Sequence, residues 1–299
     1  MRVKAPNRFF SHSISMQEST LLPAYLAGAS RPDRPAASLR PATAPVASVF
    51  LPKEHGSWSL ALEPVALALL LAPSAPGFAL AVAAFAGFLS RRPWKAAFAP
   101  RHSEKRREAR EALVLLTTLV VAGGFEVLVL GEGTALWPLL LAAPAGALFA
   151  HFDAQGEGRA AAAELAGSAA FAVLPAVFAT LAGWSAAPAL ALAVLALARS
   201  LPAVLTVRTF LRLRKGEVAG VAMPMAVAGA ALLAVGGLSL SLGWSQAATA
   251  AMAVLFGRTT WLVGPWRPAW SARRTGMVEA GIGVAYVLFL AACGPGQIP

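Results

Sequence analysis

The sequence predicts an all-α protein, a polytopic transmembrane helical bundle of about nine spans, and two observations carry that prediction. Hydrophobic residues make up 58% of the 299 and charged residues only 13%, with a mean hydropathy of +0.65, which no soluble core of this length would need. The 25 Lys and Arg residues fall in the N-terminal tail, in every second connector between apolar runs, or inside runs near those connectors. That alternation is the charge asymmetry that orients helices across a bilayer.

A helix crossing a hydrocarbon core of roughly 30 Å needs about 20 largely apolar residues, and it must be helical to satisfy its own backbone. The apolar runs fall at 57–73, 76–90, 112–131, 134–150, 160–182, 186–207, 218–240, 244–265 and 277–293. Connectors after the odd-numbered runs carry no Lys or Arg. Those after the even-numbered runs carry Arg91, Arg92, Lys95, Arg101, Lys105, Arg106, Arg107 and Arg110, then Arg159, then Arg212, Arg214 and Lys215, then Arg267, Arg273 and Arg274. The basic connectors face the cytoplasm of an inner-membrane, multi-pass protein, with the N-terminus inside and the C-terminus outside. The formal charge of +11 is thereby explained by topology and attraction to anionic lipid, and no nucleic-acid partner is expected.

Residues 1–46 mix Pro, Ser, Ala and Arg without period and are expected to be a disordered cytoplasmic tail, or an extension from an upstream start codon. No apolar run there suits a signal peptide. The transmembrane domain is expected over 47–299. Cys293, the single cysteine, excludes an internal disulfide and any Cys-based metal centre. No cofactor can be named, and no metal site is expected, because His55, His102, His151 and Asp153 show no two-ligand helical spacing. Pro175, Pro202 and Pro224 could bend three consecutive spans around a shared cavity, although tolerated kinks and close packing explain such residues as well.

The informative residues are ionisable ones inside the spans: Glu63, Glu126, Glu164, Arg199, Arg258 and Glu279. Each costs several kcal/mol on insertion scales, so such groups face a bundle interior and pair there. Three acids near the inner ends of odd spans, Glu63, Glu164 and Glu279, are placed to meet two arginines on even spans, Arg199 and Arg258. A polar cavity open to the cytoplasm is the expected result. Arg208 and Arg212 share a helix face at the end of the sixth span, a spacing suited to phosphate or carboxylate.

Pro52-Lys53-Glu54-His55-Gly56-Ser57-Trp58, directly ahead of the first span, resembles the opening motif of the YwiC-like family of bacterial membrane proteins. Weaker echoes follow at Arg91-Arg92-Pro93, at Glu164, at Val207-Arg208-Thr209 to Arg212, and at Arg258. The resemblance would cover roughly residues 50–293. Taken with the intramembrane charges, it leaves Lys53, His55, Glu63, Arg91, Arg92, Glu164, Arg199, Arg208, Arg212, Arg258 and Glu279 as candidate substrate-binding residues.

Nine spans with an inward N-terminus also look like the UbiA-type intramembrane prenyltransferases, which hold Mg²⁺ and a diphosphate with two Asp-rich motifs. This chain has only Asp33 and Asp153, and basic stretches stand at both motif positions, so that clamp cannot be assembled. The resemblance implies a UbiA-like bundle that binds or modifies an anionic isoprenoid or phosphorylated lipid through arginines, with membrane lipids as its partners. A small-solute or ion transporter, or a scaffold for a respiratory or assembly partner, is the alternative.

Overall fold

The computed structural model describes residues 55–98, 104–243 and 245–293, the side chains of residues 55–57, 104 and 105 excepted. Residues 1–46, Lys53, His102, Trp244 and the side chain of His55 lie outside that description. Among the described residues there are nine α-helices and no strand: α1 (His55–Leu71), α2 (Ala75–Ala97), α3 (Glu104–Leu130), α4 (Leu139–Ala154), α5 (Ala161–Leu181), α6 (Ala186–Arg214), α7 (Ala222–Ser241), α8 (Gln246–Val263) and α9 (Ala272–Cys293).

Every predicted span corresponds to one helix. Five of them, α3, α5, α6, α7 and α9, are long and apolar enough to cross a membrane, so the chain is an integral membrane protein. The other four are shorter or more polar. α1 has 17 residues and α4 has 16, α2 carries Arg91, Arg92 and Lys95 in its last turns, and α8 holds Arg258 among three threonines.

Several boundaries differ from the sequence expectation. α2 continues through Arg91, Arg92 and Lys95 to Ala97, and α3 starts at Glu104, because charged residues can extend a helix beyond the apolar layer into water. The fourth span does not begin at 134. A short 3-10 turn, Gly133–Leu136, comes first, and the α-helix starts after Pro138, whose fixed φ and missing N–H suit a helix entrance. Pro224 sits in the first turn of α7, where a proline costs no helical hydrogen bond. Only Pro175 and Pro202 of the expected trio are interior to their helices.

Local chemistry sets the ends. Ser74 accepts from the Gly77 N–H at 3.1 Å to open α2, and Ser245 accepts from the Ala247 N–H to open α8, each satisfying an orphan donor. α6 stops at Gly216, with φ +78°, where the Gly216 N–H reaches the Leu213 carbonyl and the Glu217 N–H the Arg212 carbonyl. Only glycine takes that left-handed turn without penalty.

α6 is the central helix. It touches α1, α5, α7, α8 and α9, and α9 returns to pack along α1. Of its apolar stretch 67% is buried, against 17% for α3, which packs mainly on α2 and exposes Val114, Val121, Phe125 and Val129. In a bilayer that face meets lipid tails. The core between α1, α5, α6, α7, α8 and α9 is built from small and medium side chains, including Leu67, Ala176, Leu192, Leu195, Val235, Met252 and Val287. Small residues let backbones approach closely, which drives helix association where no hydrophobic effect operates between helices. Gly123 shows the limit: a Cβ there would lie 2.7 Å from the Ala79 carbonyl oxygen of α2.

Candidate functional site

Four charged side chains meet where α1, α6, α8 and α9 converge. Glu63 comes from α1, Arg199 from α6, Arg258 from α8 and Glu279 from α9. Arg199 lies between the acids, its Nε 3.6 Å from Glu63 Oε2 and its Nη1 3.7 Å from Glu279 Oε2. Its Nη2 donates to the Glu279 backbone carbonyl at 2.9 Å. Arg258 pairs with the other oxygen of Glu279, and the Ser59 hydroxyl, one turn before Glu63, donates to that carboxylate. The four side chains are 5–12% exposed. Two positive and two negative groups in formal balance are what makes such a cluster tolerable away from water.

Helix phase places them. On α9 the buried positions Thr275, Glu279, Gly283, Tyr286 and Leu290 recur every three or four residues and form one face. Gly283 is opposite Glu63, and a Cβ there would overlap the carboxylate. Tyr286 then donates its hydroxyl to the Leu195 carbonyl of α6 at 3.1 Å. On α6, Arg199 and Thr206 are seven residues apart and share a face. The Thr206 hydroxyl pairs with that of Thr259 on α8 at 3.3 Å, next to Arg258.

Two small clefts flank Arg199, each with room for about one water molecule. One lies among α6, α7 and α8, lined by Arg199, Pro202, Ala228, Met252, Arg258 and Thr259. The other lies among α1, α6 and α9, lined by Leu60, Glu63, Pro64, Ser200 and Tyr286. A proline stands in the wall of each. Pro202 has no N–H for the Ala198 carbonyl and Pro64 none for the Leu60 carbonyl, and both of those residues line the same clefts. In each wall the proline removes one donor from the helical ladder. The Ser200 hydroxyl and the Nε atoms of Arg199 and Arg258 are buried without a hydrogen-bond partner among the described residues.

The sequence expectation of acids and arginines meeting across helices is realised for Glu63, Arg199, Arg258 and Glu279. Glu164 is not among them. It pairs with Arg208 at 2.6 Å, and Arg208 also donates to the Arg159 carbonyl. Arg208 is nine residues beyond Arg199, about two and a half turns, so it points to the opposite side of α6. Arg212 shares that side and binds Glu217 at 3.0 Å and the Val218 carbonyl. Arg91 packs over the Phe149 ring and, with Lys95, binds Asp153 at 2.5 and 2.7 Å. The loop between α4 and α5 joins these groups, since a Cβ on Gly158 would meet both Arg91 and Asp153. Arg92 belongs to the same turn of α2. Glu126 is exposed on α3.

Sequence reasoning missed Ser59, Ser200, Tyr286 and Gly283. Ser59 and Gly283 stand one helical turn from Glu63 and Glu279, and that i, i+4 spacing was the available signal. No group of three or more His, Cys, Asp or Glu that could hold a metal occurs among the described residues.

No curated protein and no solved structure matches the chain. A model of the YwiC-like protein family matches residues 51–179, a region that contains Glu63, Arg91, Asp153 and Glu164 and ends within α5, so over that part of its length the chain is similar to the YwiC-like proteins.

Proposed function

We propose that the protein moves a small solute across the membrane, with the Glu63–Arg199–Glu279–Arg258 quartet as its working centre. The observation that carries this reading is a charge-balanced cluster, buried where the first, the central and the last helices meet, with a water-sized cleft on each side. Such a cluster is a poor way to stabilise a bundle, because apolar side chains of similar volume serve as well or better. Ionisable groups kept inside a membrane bundle mark ion pathways and proton relays. The quartet sits on four separate helices, so a change in its protonation or occupancy alters the contacts of all four.

The test uses the full chain in proteoliposomes holding a pH-sensitive dye, offered small inorganic anions, alkali cations and short carboxylates in turn. At least one solute is expected to drive proton movement, and Glu279→Gln to abolish it. Vesicles that match protein-free controls for every solute would overturn the reading.

A second reading keeps the UbiA-like proposal, in which an anionic isoprenoid or phosphorylated lipid binds from the cytoplasmic side. Its support is the half-exposed group of Arg91, Lys95 and Arg208 around the α4–α5 loop. Against it, Arg208 and Arg212 already have carboxylate partners, and the clefts at the quartet have no room for an isoprenoid chain. Native mass spectrometry of the Arg208→Ala, Arg212→Ala double variant decides it: unchanged retention of anionic lipid removes this reading.

A further inference from the structure

We propose that the cleft among α6, α7 and α8 binds a small monovalent anion, held by Arg199, Arg258 and the Thr259 hydroxyl, and that the anion enters together with a proton on Glu279. This deepens the transport reading by naming the class of solute.

The cleft is rich in donors. Arg199 and Arg258 both line it; the Arg258 Nε is buried with no hydrogen-bond acceptor among the described residues, and the Arg199 Nε has Glu63 Oε2 only at 3.6 Å. Two guanidinium groups lining one cleft, with donor capacity that their carboxylate partners leave unfilled, describe an anion site that needs no metal. Thr259 adds a third donor. Its hydroxyl and that of Thr206 lie 3.3 Å apart and either can donate, so when Thr206 donates, the Thr259 hydrogen is free to turn to the cleft. The size admits a halide or a similarly small ion. It excludes bulky organic anions.

Charge balance makes the proton necessary. The quartet is neutral, and a lone anion would leave one uncompensated negative charge in the bundle. A proton on a Glu279 carboxylate oxygen cancels it and breaks no covalent bond. It also frees the donors, because Glu279 is the acid that Arg199 and Arg258 share. Every helix packed on α9 presents a charged group there: Glu63 from α1, Arg199 from α6 and Arg258 from α8. Glu63 is the less suited acceptor, since Ser59 already donates to its carboxylate and it lines the other cleft. Each oxygen of Glu279 faces a guanidinium group, Oε2 that of Arg199 at 3.7 Å and Oε1 that of Arg258.

Binding is tested apart from flux, with the full chain in mild detergent. Thermal unfolding is followed against chloride, bromide and nitrate, with gluconate keeping ionic strength constant. One proton per anion requires affinity to rise as the pH falls, by up to tenfold for each unit. Glu279→Gln, fixed in a neutral state, is expected to bind at least tenfold more tightly than wild type at high pH and to lose the pH dependence. Thr259→Val is expected to weaken binding several-fold while keeping it. Equal stabilisation by all four salts, or a pH slope retained in Glu279→Gln, overturns the proposal. Should that variant fail to fold, the wild-type slope and Thr259→Val decide the matter alone. Binding without flux refutes transport and leaves the site standing, whereas flux without binding refutes the site.

Discussion

Gly283 decides how closely α9 can approach α1. The Glu63 carboxylate occupies the place where a Cβ would stand, so Gly283→Ala must push either the carboxylate or the helix away. Overpacking of this kind costs typically 1–3 kcal/mol, and here it also lengthens the ion pair between Glu63 and Arg199. Gly283→Ala should lower the unfolding temperature in detergent, and Glu63→Gln in the same background should recover part of the loss, because a neutral amide is less costly to displace from an arginine. If Gly283→Ala is as stable as wild type, Glu63 does not occupy the notch. The sequence made half of this visible. Depth in the membrane identified Glu63 and Arg199 as too far from water to be interfacial, and the alternation of acids and arginines between odd and even helices indicated pairing. The partners were less legible, because they depend on rotation of each helix about its axis. Nine residues separate Arg199 from Arg208, which sends them to opposite sides of α6 and gives Glu164 to the second rather than the first.

At the scale of elements, α2 and α4 are joined at their C-terminal ends by one carboxylate. Asp153 lies in the last turn of α4, beyond the apolar run that ends at Ala150, and takes Arg91 and Lys95 of α2 on a single oxygen. Partial burial pushes its carboxyl upward, but the hydrogen bonds and charges of Arg91 and Lys95 together outweigh that and hold it below the ordinary aspartate range. A carboxyl lowered by folding contributes stability above its ordinary value and loses it as the pH falls through the folded one. The protection of amides at residues 91–97 and 150–154 from hydrogen exchange, relative to the intrinsic rate at each pH, should therefore fall as pH is lowered below about 4. In Asp153→Asn that protection should be low at neutral pH already and nearly insensitive to acid over the same range. An identical acid response in the variant would assign the effect to another group. Helix lengths here were only partly legible from hydropathy. Apolar runs locate the membrane layer, whereas α2 and α3 extend through Arg91 to Lys95 and through Arg106 to Arg110, because those side chains tolerate a helix in water as well as a coil.

At the scale of the whole molecule, the helices alternate in direction, and their contacts sort the connectors into two ends. Arg91 to Asp153, Arg208 to the Arg159 carbonyl and Arg214 to the Trp270 carbonyl tie together the ends of α2, α4 and α6 and the connectors that follow α4 and α8. At the other end, Thr180 donates to the Ala135 carbonyl and Ser239 pairs with Thr249. The basic residues gather at the first end, which we propose faces the cytoplasm. Cys293 is the only cysteine, ends α9 and is exposed, so nature supplies one reporter at the opposite end. A membrane-impermeant maleimide added to intact spheroplasts should label it fully, and Cys293→Ser should abolish the signal. Moving the cysteine to the basic end, as Ser271→Cys in the Cys293→Ser background, should give labelling only after the membrane is permeabilised. The reverse pattern would invert the protein in the membrane. It would also move the Glu279 end of the quartet from the cytoplasmic to the outer side, and with it the side from which the proposed proton enters.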